Sequence, residues 1–396
     1  GGWEVHDAQR RDETLARAFH AAASGTPGPV VVVLPEDMLS DEVMAEQPLT
    51  LPVAHSLPGA GDIERVIALL GEAERPLLIA GGMLEHESGR QALARAAAAH
   101  HLPVALSFKR QEIFDNASPL FAGYLGFKIP RPQIEAMAAA DLVLAVGTRL
   151  GDVPTQGYSF PAAPQPAQPA LAHQGDDIPE ARRAWAAELH ARAAALARYE
   201  AQDPADGVDF GTVVQTLAAR APRDSVVVLD SGNFSSWVHR IWPWDGRQTS
   251  VGAVGGAMGL GVPGAVAACL RHPGRTVLSF VGDGGALMTG NELATGMQLG
   301  AAPKIFISNN RSYGTIRLHQ ERDYPHRKVA TDLANPDFAA WARAFGAEGL
   351  TIARAEEAEA VVEQALNCER AVVVEVQSSL EAISAYTTIT KLRGGR

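Results

Sequence analysis

Cysteine is nearly absent from the sequence, with two residues of this type, Cys269 and Cys368, among 396. So low a count excludes a disulfide framework and gives no support to a zinc site. Each cysteine lies in an apolar, helix-forming context, which favours a buried structural thiol. We therefore expect a protein of the reducing cytoplasm.

Long apolar runs and an excess of basic residues are missing as well. No apolar stretch reaches the roughly 20 residues of a membrane-spanning helix, and no basic-then-apolar leader opens the sequence. Lysine and arginine number 34 against 45 aspartates and glutamates, for a formal net charge of -11. This balance argues against nucleic-acid binding and against docking on an anionic membrane. A small anionic ligand is not excluded, because a glycine-rich loop or a helix N-terminus binds one locally.

The opening segment, residues 1–40, predicts one helix and one strand. The pattern "ETLARAFHAAASG" has helical spacing, and "GPVVVVLPED" is a β-branched run typical of a buried parallel strand. One helix and one strand cannot bury a core, and the first residue is glycine rather than methionine. We therefore expect this segment to be the end of a domain whose front lies outside the sequence.

Two larger blocks of alternating strand and helix patterns follow a proline-containing linker at 41–56. The central block, 57–200, contains the strand candidates "RPLLIAGG", "LPVALSF" and "DLVLAVGTRL", then the Pro/Gln-rich loop "PAAPQPAQPALAHQGDD" and a long helix expected to connect domains. The third block, 207–396, contains "SVVVLDSGN", "GRTVLSFVGDGG", "APKIFISNN" and "RAVVVEVQSS". This alternation predicts an α/β fold of parallel sheets flanked by helices, with the third block a complete domain.

Polar or glycine-rich residues follow three of the four strands predicted in the third block, at the ends where open parallel sheets bind ligands. These segments are Asp230–Asn233, Gly282–Gly285 and Asn309–Asn310. Asp283 precedes Asn310 by 27 residues, the length of one strand–helix–strand unit, so both side chains are expected at adjacent strand ends. A carboxylate, an amide oxygen and a nearby carbonyl suit Mg²⁺. The glycines after Asp283 allow backbone N–H groups to approach an anion. Each half alone is typical of a turn, but together they favour a site for Mg²⁺ and a diphosphate.

A competing motif lies just upstream. Gly259, Gly261 and Gly264 match G-x-G-x-x-G, the fingerprint of dinucleotide binding. The preceding "TSVGAVGGAM" contains too many glycines for the expected first strand, and Pro263 falls where N–H groups should face a pyrophosphate. A nicotinamide-binding interpretation is therefore not favoured.

The sequence GDG, followed one strand–helix–strand unit later by NN, resembles the signature of thiamine-diphosphate enzymes. The resemblance covers nearly the whole chain. "PGPVVVVLPEDML" is similar to the end of the pyrimidine-binding domain of the acetolactate synthase/pyruvate decarboxylase superfamily, and "ERPLLIAGGML" and "ADLVLAVGTRLGDVPTQGY" are similar to its central domain. "GNFSSWVHR", "GGAMGLGVPGAVAA", "NNRSYGTIRLHQE" and "NPDFAAWARAFGAEG" are similar to its diphosphate-binding domain. Within the superfamily the chain resembles acetolactate synthase large subunits.

The resemblance implies a thiamine-diphosphate-binding fold with a smaller central domain, and it assigns roles to residues. It implies Mg²⁺ ligation by Asp283, Asn310 and the Ser312 carbonyl, and diphosphate or cofactor contacts by Gly284, Gly285, Gly232, Asn233, Phe234 and Thr315. Met258 would bend the cofactor into a V, and the Gly256 carbonyl would accept a hydrogen bond from its 4′-amino group. The cofactor would then carry the decarboxylation of a 2-oxo acid.

The sequence departs from the family at three points. The activating glutamate of the pyrimidine-binding domain has no match, since Glu36 and Asp37 follow the wrong strand, and we expect it upstream of residue 1. The central block is short, which argues against FAD, a cofactor of acetolactate synthases. The substrate-sizing tryptophan of "QWQE" is replaced in "LHQE" by His319, which is either a pocket residue or a surface histidine.

Three hypotheses on function follow from the resemblance. The first is decarboxylation of a 2-oxo acid with carboligation, as in acetolactate synthase. The second is a non-flavin 2-oxo acid decarboxylase of the benzoylformate or oxalyl-CoA type, and the third is a catalytically silent fragment that only binds the cofactor. Because the family builds its cofactor site between two subunits, we expect a homodimer or homotetramer.

Overall fold

The computed structural model describes residues 1–44, 49–54, 57–127, 129–161 and 178–394. The chain forms two compact units, residues 1–69 and 70–396. The predicted linker at 41–56 has no regular structure where it is described, and nearly all of the predicted Pro/Gln-rich loop lies outside the described residues. No helix in these ranges is both long enough and apolar enough to cross a membrane.

The first unit contains a small βαβ arrangement. Its elements are β1 (Gly2–Glu4), α1 (Arg11–Ala23) and β2 (Val31–Val33), and α2 (Ala60–Glu72) begins near its end. The two strands are parallel, with Gly2 opposite Val31. The prediction of a buried strand is wrong here. Val31 is 64% and Val33 49% exposed, because the described sheet has two strands and their shared face is uncovered.

The central block of the second unit is a four-stranded parallel sheet. Its elements are β3 (Pro76–Ala80), α3 (Glu87–His100), β4 (Val104–Ser107), β5 (Phe121–Leu125), α4 (Arg131–Ala138), β6 (Leu142–Val146) and α5 (Glu180–Ala197). The strand order is β5-β4-β3-β6. The three predicted strands are confirmed, and β5 was missed. Instead of merely connecting domains, α5 packs on this sheet, where Trp185 donates to the Pro76 carbonyl over 3.0 Å.

The C-terminal block is a six-stranded parallel sheet with helices on both faces. Its elements are α6 (Phe210–Arg220), β7 (Val226–Leu229), α7 (Ser235–Ile241), β8 (Thr249–Gly252), α8 (Gly261–Arg271), β9 (Val277–Gly282), α9 (Asp283–Thr289), α10 (Leu293–Gln298), β10 (Lys304–Asn309), α11 (Gly314–Asp323), α12 (Phe338–Ala344), β11 (Glu348–Ile352), α13 (Ala358–Asn367), β12 (Val372–Gln377) and α14 (Ile389–Gly394). The strand order is β11-β12-β10-β9-β7-β8.

Alternation along the strands builds a core on each face of this sheet. Val227, Leu229 and Phe280 face α6, α7 and α13, while Val228, Val281 and Ile307 face α8 and α12. Both faces are covered, which explains why the strands read as continuous apolar runs. The four predicted strands are confirmed.

Two local predictions about the G-x-G-x-x-G segment need correction. A strand does precede it, since β8 forms despite the glycines that follow, and Pro263 lies in the first turn of α8 rather than in a loop. Proline is tolerated in a first helical turn because N–H groups there have no partner within the helix.

The two cysteines are half-buried rather than fully buried: Cys269 lies in α8, and Cys368 caps the end of α13.

The order of the strands defines where a ligand should bind. From β7 the chain crosses first to β8 on one side and then, through α8, to β9 on the other side. Open parallel sheets bind ligands beyond the strand ends at such a reversal. The residues that follow β7 and β9 are Asp230–Asn233 and Asp283–Gly285, two of the three polar segments singled out in the sequence.

Candidate functional site

A cavity lies beyond the carboxyl ends of the C-terminal sheet, where the segments after β7, β9 and β10 meet. Most of the predicted site residues line it: Gly232, Asn233, Phe234, Met258, Asp283, Gly284, Gly285, Asn310, Ser312 and Thr315. Two predicted residues are not among the lining residues. Gly256 lies in an exposed loop beside Met258, and His319 lies on an exposed face of α11.

Asp283 and Asn310 approach each other because β9 and β10 are adjacent and parallel, with Gly282 opposite Ser308. Their oxygens meet at one donor: the N–H of Ser312 lies 3.3 Å from Asp283 Oδ2 and 3.1 Å from Asn310 Oδ1. Asp283 is buried, with 3% of its surface exposed. The arrangement is a small set of hard oxygen atoms, in a place from which water is largely excluded.

Burial raises the pKa of Asp283 to about 6, although N–H groups of Gly284 and Ser312 and the amide of Asn335 act in the opposite direction. Taking a carboxylate out of water disfavours its charged form unless a cation compensates. A cation bound beside Asp283 would therefore stabilise the charged form of its buried carboxylate.

Asn335 was not assigned a role from the sequence, although it lies in the quoted "NPDF" stretch. Its amide Nδ2 donates to Asp283 Oδ2 over 2.8 Å and to Asn309 Oδ1 over 2.7 Å. Asn309 in turn donates to the carboxylate of Glu375 over 2.7 Å. The Oδ1 atom of Asn335 is buried without a hydrogen-bond partner. Asn335 therefore orients the Asp283 carboxylate and leaves an acceptor next to it.

The two glycines after Asp283 have no room for a side chain. A Cβ atom on Gly284 would lie 2.6 Å from the Tyr313 ring, and one on Gly285 would lie 2.3 Å from Asp230 Oδ2. The N–H of Gly284 already donates to Asp283 Oδ1 over 2.9 Å. Packing therefore requires glycine at both positions.

Asn233 and Thr315 connect two sides of the cavity. The Asn233 amide donates to the Gly314 carbonyl over 2.9 Å, and the Thr315 hydroxyl donates to Asn233 Oδ1 over 3.0 Å. The segment after β7 is thereby fixed to the start of α11. The Phe234 ring packs against Gly232 and Gly282, where a Cβ atom would lie within 3.0 Å of the ring.

Met258 stands in a loop whose end is fixed by buried groups. The N–H of Gly259 donates to both oxygens of Asp230, at 2.9 and 3.1 Å, and the Gly259 carbonyl accepts from Thr289 over 2.5 Å. Gly259 has a φ of 91°, in the left-handed region that favours glycine. Met258 itself is 39% exposed. Hydrogen bonds fix Gly259, the next residue, and Met258 lines the cavity with an exposed side chain.

A second cavity, of about 300 Å³, lies between the central and C-terminal blocks of the second unit. Aromatic side chains dominate its lining, including Tyr124, Trp242 and Trp244. Burial lowers the pKa of His239, another lining residue, to about 3, so its ring is neutral at physiological pH. Because the converging oxygen ligands lie in the smaller cavity at the strand ends, we take that cavity as the candidate site.

The donor set of the strand-end cavity fits a magnesium-bound diphosphate. A carboxylate, a side-chain amide oxygen and neighbouring carbonyls are ligands that Mg²⁺ prefers, and Mg²⁺ in proteins usually adds phosphate oxygens. Glycine backbone beside these ligands permits close approach of an anion. The unpartnered Oδ1 of Asn335 would offer a further acceptor to a metal-bound water if a cation were present.

Comparison with known proteins relates the chain to enzymes that use thiamine pyrophosphate. Residues 63–195 match the family described as "Thiamine pyrophosphate enzyme, central domain", and residues 230–376 match "Thiamine pyrophosphate enzyme, C-terminal TPP binding domain". The chain is 27% identical to the mitochondrial acetolactate synthase catalytic subunit of Saccharomyces cerevisiae, covering 92% of this chain and 60% of the relative. It is 28% identical to the acetolactate synthase isozyme 2 large subunit of Escherichia coli, covering 92% and 71%. It is also 26% identical to the sulfoacetaldehyde acetyltransferase of Castellaniella defragrans, covering 96% and 73%.

Proposed function

The chain belongs to the thiamine pyrophosphate enzymes, whose central and C-terminal domains it carries, and we propose that its strand-end cavity binds thiamine diphosphate through Mg²⁺. One observation carries the proposal: oxygens of Asp283 and Asn310, from neighbouring parallel strands, meet at the N–H of Ser312. The Ser312 carbonyl is the third proposed protein ligand. The glycines after Asp283 would then hold the diphosphate through their N–H groups.

The remaining residues of the cavity would bind and orient the rest of the cofactor. A hydrogen bond between Asn233 and Thr315 holds two walls of the cavity together. The ring of Phe234 packs on the glycine backbone beside them. Met258 offers an exposed apolar side chain for a ring to rest on, and the Gly256 carbonyl is the proposed acceptor for an amino group. Bound thiamine diphosphate would itself supply the electron sink for decarboxylation.

The proposed reaction is decarboxylation of a 2-oxo acid followed by carboligation, as the names of the acetolactate synthases among the relatives suggest. The chain spans 60 to 71% of the length of these relatives, so the activity is proposed for the protein to which the chain belongs. Incubation with pyruvate separates the candidate functions. Acetolactate as the product supports carboligation, acetaldehyde supports a plain decarboxylase, and no turnover with intact cofactor binding supports a silent binding module.

We also propose that the enzyme works as a homo-oligomer in the cytoplasm. Two exposed apolar side chains, Met258 and Ile316, line the cavity, and Val254, Leu287 and Met288 are exposed on the loop and the helix that lead to it. Such a concentration is typical of a surface covered by another subunit. Both cysteines are free, as expected in a reducing compartment. Sedimentation that shows only monomer at micromolar concentration would argue against the oligomer.

Calorimetric titration with thiamine diphosphate at saturating Mg²⁺ tests the proposed site. We expect Asp283→Ala to abolish binding, because the substitution removes the charged ligand. Asp203→Ala is the control, because it removes an exposed carboxylate that belongs to none of these motifs, and this variant should bind as the unmodified protein does. Unchanged affinity in Asp283→Ala would refute the assignment of this residue as a metal ligand.

A further inference from the structure

Lys109 follows β4 of the central block, yet its side chain ends among the strand ends of the C-terminal block. Its ammonium donates to the Ala253 carbonyl over 2.7 Å and to the Ser231 hydroxyl over 3.4 Å. The residue is 4% exposed. Its φ of 58° is unusual for a residue other than glycine, and such conformations persist only where the surroundings impose them. The central block thus delivers a buried positive charge to the edge of the proposed site.

The carbonyl that Lys109 contacts begins the segment 253–259, which we name the cofactor loop. The Ala253 carbonyl also accepts from the N–H of Gly256 over 3.0 Å and so closes a turn, with Gly256 at a φ of 76°. At the other end, Asp230 accepts from the N–H of Gly259. Residues 254–258 between these anchors are exposed. A lysine therefore holds the start of the loop, and an aspartate holds its end.

Burying the Lys109 ammonium at this place costs free energy, which indicates a functional role for the residue. An ammonium is strongly hydrated, and its transfer to a buried position is unfavourable unless hydrogen bonds and charges compensate. The partners here are a carbonyl, a hydroxyl and the Phe108 ring, whose centroid lies 5.4 Å from the ammonium, and Asp230 provides longer-range attraction. Burial lowers the pKa of Lys109 despite that attraction. An apolar side chain could pack at this depth, but it could not hold the Ala253 carbonyl.

We infer that Lys109 is a positioning residue of the proposed thiamine-diphosphate site, holding the cofactor loop so that the Gly256 carbonyl and Met258 meet the ring end of the cofactor. The inference rests on the proposed function. It separates the site into two parts: the strand ends with Asp283 and Asn310 hold the diphosphate, and Lys109 acts on the ring end alone. The central block is thereby given a role in cofactor binding that does not depend on a flavin.

Two probes distinguish these parts of the site. Thiamine diphosphate contacts both, whereas inorganic pyrophosphate contacts only the diphosphate part. In calorimetric titrations at saturating Mg²⁺, we expect Lys109→Met to weaken thiamine diphosphate binding about tenfold or more, the usual effect of losing a hydrogen bond from a charged group. Pyrophosphate binding should stay unchanged. Lys109→Arg keeps the charge and the donors and should restore much of the lost affinity.

Lys304→Met is the matched control. Lys304 is also buried, at 5% exposure, and its ammonium also donates to backbone carbonyls, those of Cys368 and Arg370. Lys304 is the first residue of β10, so it lies at the amino ends of the strands, whereas the cavity lies at their carboxyl ends. We expect Lys304→Met to bind both probes as the unmodified protein does, even if its melting temperature falls as much as that of Lys109→Met.

The outcomes separate the inference from the proposed function. If the unmodified protein binds neither probe, the proposed function fails and the inference fails with it. If it binds both, and Lys109→Met either keeps full affinity for thiamine diphosphate or loses both probes equally, the inference alone is wrong. Should Lys109→Met fold poorly, Lys109→Gln, whose uncharged amide is too short to hold the Ala253 carbonyl, repeats the comparison with the same expected loss of thiamine diphosphate binding alone.

Discussion

Glu112 should make the stability of the protein depend on pH in an unusual direction. The residue lies in a short helical turn after β4, is 3% exposed, and its Oε2 atom has no hydrogen-bond partner. Burial raises its pKa from 4.5 to about 7. Below pH 4.5 the carboxyl is protonated in both the folded and the unfolded chain. As the pH rises toward 7, the unfolded chain releases the proton first, so the free energy of unfolding falls.

The size of the effect follows from the shift. Each pKa unit corresponds to about 1.4 kcal/mol, so the folded state loses about 3 kcal/mol in total once the pH exceeds the folded pKa. Glu112→Gln replaces the carboxyl with a neutral group of the same shape. Relative to the unmodified protein, we expect the variant to gain about 2 to 3 kcal/mol in free energy of unfolding between pH 5 and pH 8.

Urea unfolding followed by tryptophan fluorescence at pH 5, 6, 7 and 8 measures this gain. Exposed Glu369→Gln is the control, and its difference from the unmodified protein should stay within about 0.5 kcal/mol at every pH. A Glu112→Gln variant whose relative stability does not change with pH would refute the argument. It would mean that the carboxyl is solvated or paired when ionised.

Further predictions concern the strand ends. Gly285→Ala should lower the free energy of unfolding, measured by thermal melts, by about 1 to 3 kcal/mol, because the new methyl group would meet the Asp230 carboxylate. Gly61→Ala is the control, since open space surrounds that position and the same melts should show no loss of stability. Equal melting temperatures for the two variants would contradict this. Asn335→Ala should weaken Mg²⁺-dependent thiamine diphosphate binding about tenfold, because the amide that orients Asp283 is lost. Calorimetry that finds full affinity would show that Asp283 needs no such partner.

Much of the C-terminal block could be predicted from the sequence because its signals are local and strong. The strands β7, β9, β10 and β12 are buried on both faces, so they stand out as apolar runs. The spacing of Asp283 and Asn310 was enough to predict that they lie at adjacent strand ends, since one strand–helix–strand unit allows little else.

The missed elements have weaker local signals. The edge strand β8 is short and runs into glycines, β11 is half-buried, and β5 contains Gly123 at a φ of 119°. Their pairing depends on neighbours that the local pattern does not reveal. The buried strand expected over Val31–Val33 failed for the reverse reason: the pattern is that of a core strand, but the described partner is one short strand.

The interactions around the site were the least predictable part. Asn335 reaches Asp283 across 52 positions of the sequence, and Lys109 reaches Ala253 across 144. A sequence motif identifies the residues that follow a strand, but it does not identify which distant side chain supports them. The strand-end aspartate Asp230 shows the same limit, since its partner Gly259 belongs to the motif that resembled a dinucleotide fingerprint.

The metal dependence of thiamine diphosphate binding tests the central claim most directly. We predict that calorimetry with the unmodified protein detects one molecule bound per chain when Mg²⁺ is present, and no binding when Mg²⁺ is replaced by EDTA, because the cation joins the diphosphate to Asp283 and Asn310. Equal affinity in Mg²⁺ and in EDTA, or no binding in either, would contradict a magnesium-bound diphosphate at these strand ends.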